Sequence, residues 1–171
     1  IGQLQQQLAF LQQHMRMQVR LVGICNSRFT LVKEEGINLA DWRNELEAGE
    51  KADLSLFVSN ILEKNLRNSV FVDITASEAV AHVYEQLLQK SVSVVACNKI
   101  AASSAYSRYK KLKELAAEYN VHFLFETNVG AGLPVIGTLN DLLTSGDRVH
   151  RIDAVLSGTL NFVFNNYEGK K

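Results

Sequence analysis

Proline occurs once in the 171 residues, at Pro134, and tryptophan once, at Trp42. Cysteine occurs twice, at Cys25 and Cys97, each at the end of an apolar run. Two thiols without a Cys/His cluster give neither a disulfide framework nor a zinc site, so both are expected as buried free thiols behaving as small hydrophobes. There is no net charge, since 18 Lys and Arg balance 18 Asp and Glu, and with it goes any global pull toward nucleic acid. No apolar run approaches the roughly 20 residues of a membrane span, and the start has no basic-then-apolar leader pattern. Neither a membrane nor a nucleic acid is expected as partner, and the cytoplasm is the expected location.

The remainder is ordinary globular composition, with 47% hydrophobic residues and enough chain for one domain with a sizeable core. Leu4, Leu8 and Leu11 stand at helical spacing among glutamines, so a helix covers Ile1 to His14. "VRLVGIC" (Val19 to Cys25) reads as a strand, the segment through Trp42 to Gly49 as a loop with one short amphipathic helix, and Asp53 to Lys64 as a second helix. A regular rhythm then sets in. Strands "SVFVDI" (69–74), "VSVVAC" (92–97) and "VHFLFE" (121–126) lead into helices "SEAVAHVYEQLLQK", "AYSRYKKLKELAAEY" and "LPVIGTLNDLLTSG". Strands alternating with helices of this length predict βαβ units, hence a doubly wound, Rossmann-type α/β fold with a mostly parallel sheet. A last strand is expected over His150 to Gly158. The apolar "LNFVF" after it predicts the start of a second domain, dividing the chain into 1–150 and 151–171.

In open α/β sheets the ligand lies beyond the carboxyl ends of the strands. The residues just after each strand are therefore the candidates: Asn26, Ser27 and Arg28; Thr75, Ala76 and Ser77; Asn98 and Lys99; and the loop from Glu126 to Pro134. Each set is small, polar or glycine-rich, and each taken alone is also what an ordinary turn contains. Ile1 and Gly2 read as the last two positions of a G-x-G-x-x-G nucleotide turn whose strand and earlier glycines lie upstream. A ribose selector belongs about 20 residues after such a turn. Arg28 stands there in place of an acid, and its planar fork suits a ribose 2′-phosphate, which favours NADP over NAD; the other reading is a solvated loop arginine. Lys99 could touch the carboxamide and ribose end of a nicotinamide or a substrate carboxylate, or be a surface lysine.

"VVACNKIA", "FETNVGAGLPVI" and "VLSGTLNFVF" together resemble homoserine dehydrogenase. With "GICNSR" and "NLADWRNELEAG" the resemblance is to the dehydrogenase half of the bifunctional aspartate kinase and homoserine dehydrogenase enzymes, and it extends over essentially the whole chain. It implies a cytoplasmic, homo-oligomeric NAD(P)-dependent oxidoreductase. Such an enzyme interconverts L-homoserine and L-aspartate 4-semialdehyde on the route to threonine and methionine. By matching motif, Ile1 and Gly2 close the nucleotide turn, Thr75 and Ala76 touch the cofactor, and Lys99 is the lysine of the family's N-K pair near nicotinamide and substrate. Glu126, Val129, Ala131 and Leu133 match positions that hold a structural monovalent cation, usually sodium, largely through backbone carbonyls. Gly130 and Gly132 are then expected to let the chain turn so that hard carbonyl oxygens converge, with Pro134 opening the next helix; a plain tight strand-to-helix turn is the alternative.

The family's acidic Glu-Pro-Asp-Pro segment and its proton-transfer lysine are not found in these residues. This chain by itself is therefore expected to be inactive and prone to self-association. A non-catalytic nucleotide-binding or regulatory module is the competing reading.

Overall fold

The computed structural model describes residues 1–155 and 157–167. The chain forms two compact units, Ile1–Ser69 and Val70–Lys171.

The first unit opens with α1 (Gly2–His14), whose Leu4, Leu8 and Leu11 are half-buried while the glutamines are exposed. An antiparallel ribbon follows: β1 (Gly23–Cys25) pairs with β2 (Phe29–Val32), and β2 pairs with β3 (Glu50–Lys51) after α2 (Trp42–Glu47). Asp53 caps α3 (Leu54–Glu63), its carboxylate accepting the Leu56 N–H at 2.9 Å. That helix buries Phe57 and Val58. It closes on β1 because Gly23 has no side chain: a Cβ there would meet Ile61 and Phe57 at 2.9 Å.

The second unit is a parallel sheet in the order β4 (Val70–Asp73), β5 (Ser93–Ala96), β6 (Phe123–Leu124), with Val72 opposite Val95 and Val94 opposite Phe123. Between β4 and β5 the chain forms α4 (Glu78–His82) and α5 (Tyr84–Gln89), and between β5 and β6 it forms α6 (Tyr106–Glu118). Both helix-to-strand connections end the same way. Ser91 (φ 57°) and Asn120 (φ 51°) take the left-handed conformation, and the N–H groups of Val92 and Val121 bond back to Leu87 and Ala116 at 3.0 and 2.9 Å. This is how a helix satisfies its last carbonyls before turning into a strand. The core is the helix-covered side of the sheet: Phe71, Asp73, Val94, Ala96 and Phe123 pack with Tyr84, Leu87, Leu88, Leu112 and Leu115. The opposite side leaves Val70, Val72 and Leu124 more than half exposed. Beyond β6 lie a 3-10 turn (Glu126–Asn128), α7 (Val135–Thr144) and α8 (Gly158–Asn166).

The expected α/β class is present, with three differences in its parts. The Val19–Cys25 strand is shorter and pairs antiparallel with β2, a strand hidden within the presumed loop. The helix after β4 is interrupted at Val83. The strand expected over His150–Gly158 does not form: residues 150–155 have no regular structure, Leu156 lies outside the described residues, and Gly158 begins a helix capped by the Ser157 hydroxyl. A Ser-Gly-Thr-Leu stretch offers exactly one strong local signal, that cap, and it outweighs the β-branched composition before it.

Gly49 is the tightest point of the first unit, since a Cβ there would lie 2.4 Å from the Thr30 carbonyl oxygen and 2.9 Å from that of Leu46. The Thr30 carbonyl belongs to the β2–β3 pairing and the Leu46 carbonyl to the last turn of α2, so neither can move without disturbing regular structure. Gly49→Ala is expected to cost about 1–3 kcal/mol in urea unfolding. Gly132→Ala, where nothing lies within 4 Å, serves as the near-neutral comparison.

Candidate active site at the carboxyl edge of the parallel sheet

Asp73 ends β4 at a register position that faces the core, and it is only 1% exposed. Its carboxylate accepts three hydrogen bonds: from the Thr75 N–H at 2.7 Å, the Tyr84 hydroxyl at 2.5 Å and the Asn98 side-chain amide at 3.0 Å. Asn98, also 1% exposed, stands two residues beyond Ala96, the last residue of the neighbouring β5. Its Nδ2 donates a second bond to the Ser77 carbonyl at 2.9 Å, its Oδ1 accepts the Ile100 N–H at 3.1 Å, and its carbonyl accepts the Asn128 amide at 3.2 Å. One buried polar cluster therefore joins the loops after β4, β5 and β6.

Around it, Thr75, Ala76 and Lys99 are exposed and Ser77 is half-buried. The Thr75 hydroxyl accepts the Ser77 N–H at 3.1 Å, and the Ser77 hydroxyl caps α4 at Val80. Five of the expected site residues, Thr75, Ala76, Ser77, Asn98 and Lys99, thus share one sheet edge. Cys97, expected buried, is exposed. Ala96 faces the helices, so strand alternation turns the next residue to the uncovered side.

Ile1, Gly2, Asn26, Ser27 and Arg28 belong to the first unit. Ile1 is the N-cap of α1, accepting the Gln5 N–H at 2.9 Å, and Gly2 is its first residue. Asn26, Ser27 and Arg28 make the β1–β2 hairpin turn, where the Asn26 side chain accepts the N–H groups of Arg28 and Phe29, both at 2.7 Å. Arg28 is exposed, its guanidinium 5.6 Å from the centre of the Phe29 ring.

The Glu126–Pro134 loop is organised by a carboxylate. Glu126 Oε1 accepts the Ile136 N–H at 2.8 Å and Oε2 the Gly137 N–H at 2.7 Å, so the side chain caps α7 where the helix dipole favours an anion. A side chain at position 137 would crowd that carboxylate, a Cβ lying 3.1 Å from Oε2. The loop's turn is made by Gly130 (φ 73°) and Ala131 (φ 52°), rather than by the two glycines, and Pro134 is the N-cap of α7, one position earlier than expected. Left-handed geometry at an alanine costs about 1–2 kcal/mol. Of the four expected cation positions, the carbonyls of Glu126 and Leu133 accept the N–H groups of Val129 and Val135 at 3.4 and 2.9 Å. Backbone carbonyls are the hard-oxygen donor type a monovalent cation takes, while the Glu126 carboxylate is committed to the helix.

Residues 2–126 match the family model described as homoserine dehydrogenase, NAD binding domain, and residues 134–171 match that described as homoserine dehydrogenase. The chain belongs to the homoserine dehydrogenase family. Bifunctional aspartokinase/homoserine dehydrogenase 1 of Zea mays is 40% identical over the whole chain, which spans 19% of that protein's length. A crystal structure of a Candida auris protein of unknown function superposes with a TM-score of 0.76 at 26% identity, over 95% of this chain and 48% of that one. A hyperthermophilic archaeal homoserine dehydrogenase in complex with NADPH superposes with a TM-score of 0.55 at 23% identity, over 77% of this chain and 43% of that one, a likeness of fold.

The residue pattern alone points to the rim positions and not to Asp73, Tyr84 and Asn128 beneath them. An acid ending the otherwise apolar "VFVD" in the same alternation phase as Phe71 is the signal that was available.

Burial pushes the Tyr84 phenol up, reinforced by its hydrogen bond to Asp73 and by that residue's charge. The unfolded chain releases this proton near the ordinary tyrosine value of about 10, whereas the folded chain retains it. The contribution is therefore complete below that pH and is lost as pH rises above it, at up to about 1.4 kcal/mol per pH unit. Tyr84→Phe is expected to be less stable at pH 8, by about 1–3 kcal/mol for the unpaired carboxylate bond, and to fall less steeply than the parent between about pH 10 and 11. Urea unfolding across that range measures both.

Proposed function

We propose that this chain is the nucleotide-binding part of an NADP-preferring homoserine dehydrogenase, with the start of the substrate domain at its C-terminal end. The observation that carries the reading is the convergence of Thr75–Ser77 and Asn98–Lys99 on one parallel-sheet edge, in a chain of this family. The bound nicotinamide supplies the hydride chemistry between L-homoserine and L-aspartate 4-semialdehyde. Small, exposed Ala76 between two hydroxyl residues lets a ligand approach the backbone there, which fits a nucleotide. Lys99 places polar groups of nicotinamide and substrate, and acts as the catalytic residue of this segment through a fixed positive charge. Ile1 and Gly2 close the nucleotide turn, Asn26 and Ser27 shape the selector loop, and Arg28 provides the donor fork for a ribose 2′-phosphate.

The carbonyls of Glu126, Val129, Ala131 and Leu133 would hold a monovalent cation, probed best with sodium against larger alkali ions. The polypeptide that carries this chain is proposed to be a homo-oligomer fused to an aspartate kinase, as the maize relative's name describes for that protein. Its expected compartment is the cytoplasm, although the maize relative is named as chloroplastic. Among the described residues no helix is long and apolar enough to cross a membrane.

The full-length protein decides the reading by aldehyde-dependent NADPH oxidation. Lys99→Ala is expected to lower kcat/KM more than tenfold, about 1.4 kcal/mol or more of transition-state stabilisation, with unfolding unchanged; an unaltered kcat/KM returns it to the surface lysines. Arg28→Ala is expected to raise KM for NADPH more than for NADH, through loss of a charge-assisted contact of about 1.5–3 kcal/mol. Equal effects on the two cofactors remove its selector role. A protein that binds NADPH but never turns over would be the non-catalytic nucleotide module.

A further inference from the structure

We propose that Asp73 is a positioning residue, which sets Lys99 and the Thr75–Ser77 loop in a common register through Asn98. The proposal rests on the reading of Lys99 and Thr75–Ala76 as cofactor-edge residues, and goes beyond it by naming the buried group that places them.

Two identical devices stand side by side at the ends of adjacent strands. Asp73 Oδ1 accepts the N–H of Thr75, two residues on, and Asn98 Oδ1 accepts the N–H of Ile100, two residues on. Each is an Asx turn, a local closure that fixes the backbone of the residue at its apex. The apex of the second turn is Lys99, whose side chain is exposed. Asn98 Nδ2 to Asp73 Oδ2, at 3.0 Å, joins the two turns, and Asn98 Nδ2 to the Ser77 carbonyl, at 2.9 Å, joins the second turn to the far end of the first loop.

The register position does not call for an acid. Asp73 pairs with Ala96 and lies on the face that holds Phe71 and Val94, so an apolar side chain would cover the helices there without a desolvation cost. A carboxylate at that place accepts three donors at once, which no apolar or amide side chain can do. Two of those donors come from the ligand edge and one, Tyr84, from α5. Tyr84 fastens the carboxylate to the helix layer, and Asp73 transmits that fixed point to the loops.

The test uses the full-length protein with Asp73→Asn, which keeps the volume but turns one acceptor into a donor aimed at Asn98, alone and combined with Lys99→Ala. Tyr84→Phe, which removes the helix-side bond only, is the milder companion variant. Asp73→Asn is expected to lower kcat at least about tenfold, and to add less than about threefold in the Lys99→Ala background, the non-additivity of groups acting as a unit. Tyr84→Phe is expected to lower the melting temperature and, by loosening the same carboxylate, to lower kcat in the same direction as Asp73→Asn but by a smaller factor. An Asp73→Asn enzyme that melts lower but keeps kcat, or whose loss multiplies fully with that of Lys99→Ala, overturns the proposal. Should Asp73→Asn not fold, Asn98→Ala replaces it under the same criteria. If the parent shows no homoserine turnover, the functional reading fails by itself. NADPH affinity, read by nucleotide fluorescence, then decides this proposal: about tenfold weaker binding in Asp73→Asn supports it, and unchanged binding overturns it.

Discussion

The Tyr84 hydroxyl donating to the Asp73 carboxylate at 2.5 Å is the contact on which the second unit turns. Tyr84 is wholly buried, and its ring packs against Phe71 on one strand and Phe123 on another, at 6.5 and 5.9 Å between centres. A single side chain thus reads the spacing of β4 and β6 with its ring and the end of β4 with its hydroxyl. A buried phenol needs an acceptor and a buried carboxylate needs donors. Each satisfies the other only when α5 sits at one height along the sheet, so the pair specifies alignment in a way that apolar packing alone does not.

The loop after β6 applies the same logic with a different partner. Glu126 reaches ten and eleven residues ahead to the first N–H groups of α7, groups that every helix leaves without an internal partner. Val135, the first residue of the helix, gives its N–H to the Leu133 carbonyl, and the carboxylate meets donors at the next two positions, Ile136 and Gly137. Ala131, strained by its left-handed conformation, is held between these two fixed ends. Such strain persists only where surrounding contacts over-determine it, and the double cap of Glu126 supplies that constraint.

What was legible in the sequence follows the range of the forces involved. The three β-α repeats of the second unit were visible because strand and helix periodicities are local, and so were the helix beginning near Asp53 and the polar residues after each strand. β2 escaped because Phe29–Val32 follows a turn closed by the Asn26 side chain, and "NSR" carries no glycine to advertise a hairpin. His150–Gly158 was misread for the converse reason: β-branched composition suggested a strand, while strand formation depends on a neighbour that composition does not reveal. The Asp73–Tyr84–Asn98 cluster spans eleven and twenty-five residues in the chain, beyond any local pattern.

The sheet's two sides show how far a strand sequence can be trusted about burial. "VFV" (Val70 to Val72) and "VVAC" are apolar at consecutive positions, the pattern of parallel strands covered on both faces. In the second unit one face is sealed by Tyr84, Leu87, Leu88 and Leu112, whereas Val70, Val72, Ile74 and Leu124 are between 51% and 78% exposed. A surface strand would alternate apolar with polar side chains, and these do not. Their composition is that of a core, and the free energy that would come from burying them, about 25 cal/mol per Å² of apolar area, is absent from the stability of the second unit as it stands. The helix-covered face and the buried carboxylate that orders it must therefore hold this sheet together, which is why the polar alignment at Asp73 matters more here than it would in a sheet sealed on both sides.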